Sequence, residues 1–382
     1  MNICHAFPFF SIRYAGGTSD LMCKIAKAQV KAGLEPVIFS GDYNFDYDLS
    51  SSLQGVEFQI SRSYFDKRGF SLMPSLNKFL KRDIMNFDVV HMHVFRTYQN
   101  LILYKYCKKF KIPYIMDAHG SVPYATRKPV IKRLFDNVWG RKMLRDASWV
   151  VAETEVGINE YLEIEPDLNR SKMTILSPPF DTDEFKILPK KGEFRKTIGL
   201  SNEIPLIMFI GRVHHIKGND FLIRGFAELI KKKPNAVLAI IGSDDGHMEE
   251  CKKLSIELGI KEKVLFPGFL ASADKNAALV DADIVAQMSR QEQGAWAPFE
   301  AVLCNTPIVT TDHTGAGEDV KKINAGATVR FDDTQDLCDT MLNILDNYSE
   351  AKDKTMLAKR YIENNLSFNS RIGEYTQLYM NS

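Results

Sequence analysis

The chain has 382 residues, 45% hydrophobic and 25% charged, with a formal net charge of +1; this length exceeds one ordinary domain and predicts two domains of about 150–200 residues. Residues 1–183 hold 24 Lys and Arg against 20 Asp and Glu, and the remainder holds 25 against 28, too mild a split for a nucleic-acid binder. No run of about 20 apolar residues exists to span a membrane.

The first ten residues, Met1 to Phe10, lack a basic stretch and a cleavage site, so no signal peptide is expected. The six cysteines (4, 23, 107, 251, 304 and 338) contain no C-x-x-C pair and read as reduced core residues of a cytoplasmic protein. Strands are predicted at Asn2–Phe7, Pro36–Ser40, Val56–Ile60, Val89–Val94, Tyr114–Ala118, Trp149–Ala152 and Met173–Leu176. In the second half they fall at Leu206–Ile210, Val237–Ile241, Val264–Pro267, Asp283–Met288, Ile308–Thr311 and Ala327–Phe331. Strands interleaved with helix-like segments predict two doubly wound parallel sheets, each with about six strands. Ser177 to Lys191, with its prolines and acidic turn, reads as the linker. The final segment has helical spacing at Ile372, Tyr375, Leu378 and Tyr379, and the sequence does not say against which domain it packs.

The first β–α junction, Ser11 to Asp20, carries Gly16 and Gly17, which let backbone approach a ligand, and Thr18 or Ser19 can cap the helix that follows. It lacks the G-x-G-x-x-G fingerprint, so NAD is not indicated, and taken alone it is equally an ordinary glycine turn. His91 and His93 alternate on one strand and point to one side, as a zinc pair does, yet no third ligand is evident nearby. His119 ends a strand beside Gly120, at the sheet edge where open α/β folds bind ligands. Residues 126–145 carry seven Lys/Arg against Asp136 alone, with Ile131, Leu134, Phe135 and Val138 as one apolar stripe. Such a helix suits an anionic membrane surface, or equally a core-facing helix with a solvated basic face.

Gly211 to Gly218 follows the first strand of the second half, and Arg212 and Lys217 leave the strand end as two cations able to neutralise a diphosphate without a metal. His214 and His215 are neighbours, poor spacing for joint ligation, and read as loop residues. Farther on, Ala282 to Thr311 reads as strand, loop, helix, strand, with Pro298 in the first helical turn. Glu292 lies in the loop and Glu300 one turn inside the helix, with seven residues between them. Two carboxylates there can accept hydrogen bonds from sugar hydroxyls; the spacing alone is as well explained by a solvated loop Glu and a helix Glu.

In order along the chain, Gly16-Gly17, Asp117 to Gly120, Gly211-Arg212 through Lys217-Gly218, and Glu292 to Glu300 with the run to Val309 resemble the family 4 retaining glycosyltransferases of the GT-B fold. The resemblance implies two Rossmann-like domains facing across a cleft. Residues 1–183 would form the acceptor side and 184–365 the nucleotide-sugar donor domain; 366–382 form a C-terminal helix for which return to the first domain is one packing option. It implies transfer of a sugar from a nucleotide-diphosphate donor, with anomeric retention, to a glycan or lipid-linked acceptor. Arg212 and Lys217 would hold the diphosphate in place of a divalent metal, so neither cofactor nor metal is expected. Gly16 and Gly17 would offer N–H groups to the phosphates, and Glu300 would take the ribose hydroxyls. Glu292 and His119 would line the donor sugar, and Phe266, Gly268 and Phe269 would flank the base. The expected setting is polysaccharide biosynthesis on the cytoplasmic side, peripheral to an anionic inner membrane face. One departure concerns Gln293, Gly294, Ala295 and Trp296, where the family usually has a Gly-Phe-Gly-like turn. Backbone contacts to the donor would then run through Gly294 and Ala295, and Trp296 stacks on a sugar or packs. Two alternatives stand beside the transferase: a sugar-nucleotide epimerase of GT-B type and a non-catalytic nucleotide-sugar-binding subunit. Base, sugar, acceptor, linkage and oligomeric state are not encoded in any of these motifs.

Overall fold

A computed structural model describes residues 1–11, 17–64, 71–124, 129–177, 179–270 and 272–382. The chain divides into two compact units, Met1–Pro179 with Phe368–Ser382, and Phe180–Ser367.

The first unit is built on β1 (Asn2–Ala6), β2 (Glu35–Gly41), β3 (Glu57–Ser61), β4 (Val89–His93), β5 (Tyr114–Asp117), β6 (Trp149–Ala152) and β7 (Met173–Ile175). All pair in parallel, in the order β3-β2-β1-β4-β5-β6-β7. Strands covered by helices on both faces read as unbroken apolar runs, which is why β1, β4 and β5 are buried almost end to end. The order reverses between β1 and β4, and that junction sets His5 opposite His91. The C-terminal helix Phe368–Met380 belongs to this unit and packs on the helix Gly17–Lys31, with Tyr375, Leu378 and Tyr379 buried.

The second unit holds β8 (Leu206–Ile210), β9 (Val237–Ile241), β10 (Val264–Gly268), β11 (Ile284–Gln287), β12 (Ile308–Thr311) and β13 (Ala327–Val329). The order is β10-β9-β8-β11-β12-β13, again parallel and again reversing beside its first strand. One apolar core lies around Met208, Val285, Val302 and Ile308, the other around Phe209, Phe221, Ile240 and Leu337. Arg195 anchors the entry to this unit from full burial: its guanidinium donates to the carbonyls of Asp281, Ser201 and Ile204 and to Asp283. All six cysteines are free and buried.

Two expectations are corrected. Thr18 and Ser19 lie inside the first turn of Gly17–Lys31 and not ahead of it; Ser19 Oγ turns back to the carbonyls of Phe9 and Ser11 at 3.2 Å. The segment 126–145 is not one helix with its apolar stripe inward. It runs as helix Pro129–Phe135, a π-turn Asp136–Gly140 and helix Arg141–Asp146. In the first helix Phe135 faces the core while Ile131 and Leu134 are exposed; beyond the π-turn, which adds a residue per turn, Met143 and Leu144 face the core, and Val138 within it is exposed. Asp136 draws the turn inward, accepting from the Arg96 guanidinium at 2.9 and 2.7 Å. Arg127 and Lys128 lie outside the described residues.

Candidate active site

In the second unit Arg212 and Lys217 follow β8 and Glu292 follows β11, the two strands at which the order reverses. After β8 the chain passes Gly211 and Arg212, makes a single 3-10 turn at His215–Lys217, and enters the helix Asn219–Lys232 through Gly218 in a left-handed conformation (φ 64°). A Cβ at Gly218 would stand 1.8 Å from the Met288 carbonyl oxygen, so only glycine lets this loop reach the end of β11. No side chain caps the helix at Gly218, which leaves first-turn N–H groups and the positive end of the helix dipole beside Lys217.

Lys217 donates from Nζ to Glu292 Oε2, two residues that are 75 positions apart in sequence. Glu292 also accepts from Gln287 Nε2 at 2.6 Å and Ser289 Oγ at 3.3 Å, and its own carbonyl accepts from Gly315 N at 2.8 Å. Arg212 is 45% exposed and pairs with Asp245 at 2.6 Å. Thus each cation expected to hold phosphate sits against a carboxylate. Glu300, one turn inside the helix Trp296–Leu303, accepts from Lys275 Nζ at 2.6 Å. Gly294 and Ala295 are buried, and the Ala295 N–H donates to Asp319 at 3.2 Å. Trp296 packs on Phe180, ring centroids 5.7 Å apart. Gly268 ends β10 with φ 89° and Phe269 beyond it is half exposed, while Phe266 is partly buried within the strand. His214 stays in the loop, Nδ1 accepting from Ile216 N at 3.2 Å.

Several residues here had no signal in the motifs. Arg290 grips Asp220 with two bonds of 2.7 and 2.6 Å and donates to the His215 carbonyl at 2.8 Å, tying the two loops together. Burial alone would raise the Asp220 carboxyl, but the Arg290 guanidinium outweighs it and holds it at about 2. Asn219, wholly buried next to Gly218, has neither amide atom hydrogen bonded, a condition concentrated at functional sites. Position was the available cue, since Asn219 and Arg290 flank residues already singled out.

In the first unit, Gly17 opens its helix and is exposed; Gly16 lies outside the described residues. His119 follows β5 in a left-handed conformation (φ 45°), as does Val94 after β4 (φ 62°), a strained state for a β-branched residue. His119 Nδ1 lies 3.3 Å from Asp117 Oδ1 and 3.5 Å from Glu153 Oε1. Burial lowers the His119 pKa, but those two acids overcome it and the net shift is upward. Burial pushes Asp117 up to about 6 and His5 down to about 4, and lowers His91 and His93 well below the ordinary imidazole range. The strand pairing supplies the third imidazole that the His91–His93 spacing lacked: ring nitrogens of His5, His91 and His93 lie within 4.8 Å of one another, as do donors of His93, Asp117 and His119. Apart from His91 Nε2, the ring nitrogens are already engaged. His5 and His93 hydrogen bond each other at 3.0 Å, and the His91 and His93 rings lie 4.1 Å apart with their planes tilted by 32°. Among the described residues no helix is long and apolar enough to cross a membrane.

Comparison with known proteins finds two family profiles in tandem: Glycosyltransferase Family 4 over residues 15–184 and Glycosyl transferases group 1 over residues 190–365. Among curated proteins the chain is 24% identical over 283 residues to a D-inositol 3-phosphate glycosyltransferase of Corynebacterium jeikeium, covering 70% of this chain and 66% of that one. It is 23% identical over 278 residues to a mannosylfructose-phosphate synthase of Agrobacterium fabrum, covering 67% and 60%. The matched stretch thus spans under two thirds of the length of these relatives. Among solved structures it is similar in fold to Anabaena Alr3699/HepE in complex with UDP and glucose, with TM-score 0.82, 16% identity and 100% of both chains covered. Sucrose-phosphate synthase from Thermosynechococcus elongatus gives TM-score 0.79 at 16% identity, covering 99% of this chain and 98% of that one.

Proposed function

The chain belongs to the family 4 glycosyltransferases of the GT-B fold, and on that premise we propose that it transfers a sugar from a nucleotide-diphosphate donor to a glycan or lipid-linked acceptor with retention at the anomeric carbon. The observation that carries this reading is the Lys217–Glu292 pair at the β8/β11 switch point, set beside an uncapped helix N-terminus. A diphosphate arriving there exchanges partners with the resident acids. Lys217 and Arg212 turn from Glu292 and Asp245 to phosphate oxygens, and Glu292 is released to accept from sugar hydroxyls. Negative charge grows on the diphosphate as the glycosidic bond breaks, so cations held there stabilise the transition state more than the ground state. With two side-chain cations and a helix terminus supplying the charge, no metal is needed in this scheme. Glu300, steadied by Lys275, takes the ribose hydroxyls; Phe266, Gly268 and Phe269 flank the base; Gly16 and Gly17 serve the phosphates, and His119 the donor sugar. UDP is the first nucleotide to try, because the Anabaena neighbour was solved with it.

The test is transfer from a panel of nucleotide sugars to phosphorylated and lipid-linked acceptors, with the product's anomeric configuration read by NMR. Retained configuration is expected. An inverted product contradicts the retaining mechanism, donor epimerised without acceptor supports the epimerase, and donor binding without turnover supports a non-catalytic subunit.

A second reading concerns location on the cytoplasmic membrane face. Val130, Ile131 and Leu134 are 76, 61 and 63% exposed on one short helix, and Arg133, Arg141 and Lys142 of the same segment are exposed too. Exposed apolar side chains in a basic segment suit the interface of an anionic bilayer. Co-sedimentation with phosphatidylglycerol vesicles at low salt is expected, and Ile131→Asp with Leu134→Asp should abolish it. Absence of wild-type binding retires this location.

A further inference from the structure

The four histidines around the β1/β4 switch point form a hydrogen-bonded chain whose proton positions can be worked out one by one. A neutral imidazole has one donor and one acceptor nitrogen, so fixing one end of a chain fixes every member. The fixed end is Gln29, whose Oε1 lies 2.9 Å from His5 Nε2 and can only accept. His5 therefore carries its proton on Nε2, and its Nδ1 accepts from His93 Nε2 at 3.0 Å. His93 Nδ1 in turn accepts from His119 Nε2 at 2.8 Å. The other nitrogen of His119 faces only the carboxylates of Asp117 and Glu153, so it must donate as well. The second arm agrees. Gln29 Nε2 donates to the Tyr379 hydroxyl at 3.1 Å, leaving the phenol proton for His91 Nδ1 at 3.0 Å. His91 Nε2–H then points toward Asp117 Oδ2, 3.9 Å away. That separation is too long for a hydrogen bond, so the second arm faces Asp117 without bonding it.

We propose that Gln29 and Tyr379 are positioning residues that set the direction of this ring, and that the ring holds His119 as an imidazolium at neutral pH. The opposite direction, with the Gln29 amide turned over, leaves all four histidines neutral and sets the His91 Nε2 lone pair against the Asp117 carboxylate at 3.9 Å, a repulsion where the first direction places an N–H. The charged groups around His119 are Asp117 from β5, Glu153 after β6, and the His5, His91 and His93 set. From the C-terminal helix, Tyr375 faces Asp117 and Glu153, Tyr379 faces Asp117, and Arg371 lies near Tyr375. Both ring protons of His119 are engaged, so His119 acts as a fixed cation and not as a proton-transfer group. Its charge state stands on the first unit alone; its use against a sugar-nucleotide donor rests on the function proposed above.

Long-range 1H–15N spectra of the full chain labelled at histidine read every ring nitrogen directly. At pH 7, His119 should show two protonated nitrogens, and His5, His91 and His93 a single proton on Nε2. Gln29→Met removes the carbonyl that sets the direction and should lower the His119 titration by about one pH unit. Gln29→Glu keeps an acceptor for His5 and should leave His119 charged. Tyr379→Phe should alter the His91 pattern and spare His119. A neutral His119 at pH 7, a titration unmoved in Gln29→Met, or metal-shifted resonances would overturn the proposal. The alkaline limb of kcat/KM, set against the same variants, then reports the catalytic consequence; a protein without transferase activity leaves the spectra, and the charge assignment, intact.

Discussion

Gly218→Ala tests how the Gly211–Gly218 loop is seated. A Cβ there would lie 1.8 Å from the Met288 carbonyl oxygen, where real contacts stay beyond 3.0 Å, so the loop and β11 must part by more than 1 Å. Three costs add. The left-handed conformation costs alanine about 1 kcal/mol. The bonds from Arg290 N to the Ile216 carbonyl and from the Arg290 guanidinium to the His215 carbonyl, each 2.8 Å, are stretched at about 0.5–1 kcal/mol apiece. The sum is about 2–3 kcal/mol, or roughly 5–10 °C in the melting point of a unit this size. Gly199→Ala is the control: it shares the left-handed conformation (φ 68°) but has nothing within 4 Å, so only the conformational cost of about 1 kcal/mol applies. Calorimetry of both variants, with a nucleoside diphosphate titration of each, gives the comparison. Equal losses in the two, or unchanged diphosphate affinity in Gly218→Ala, would refute the idea that close packing on Met288 places Lys217.

Arg195→Met should cost the second unit about 3–5 kcal/mol in urea melts, because the Asp283 carboxylate and three carbonyls lose their buried donor. For pH dependence, His5 titrates at about 4 in the folded chain against an ordinary 6.5, so its contribution is present above pH 6.5 and is lost as pH falls toward 4. That is about 3 kcal/mol, with His91 and His93 adding in the same direction, and acid melts should show the first unit failing in that window. Glu300→Gln should weaken binding of nucleoside diphosphates about tenfold, with little effect on inorganic pyrophosphate, since the proposed contact is to ribose.

The thirteen strands among the described residues were legible, most of them because buried parallel strands are continuous apolar runs, and the loop–helix placement of Glu292 and Glu300 followed from Pro298 and the polar stretch before it. What joins distant residues was not. His5 and His91 are neighbours only because the sheet reverses direction between β1 and β4, and Lys217 meets Glu292 through the same device in the second sheet. The segment 126–145 misled for a different reason. Helical spacing grouped Ile131, Leu134, Phe135 and Val138, but of these only Phe135 is buried, beside Asp136 held inward by Arg96, and spacing does not show which side of such a stripe the core takes. The pairing of Arg212 with Asp245 had no sequence cue either, since Asp245 follows a different strand.

The central claim is that Arg212 and Lys217 receive a diphosphate without help from a metal. Calorimetric titration of wild type, Arg212→Ala and Lys217→Ala with UDP and the other nucleoside diphosphates, in buffer containing EDTA, tests it most directly. Wild type should bind at least one of them, and each alanine variant should bind that one about 10–100-fold more weakly while melting as a folded protein. Undiminished affinity in both variants, or binding that appears only when a divalent cation is added, would contradict it.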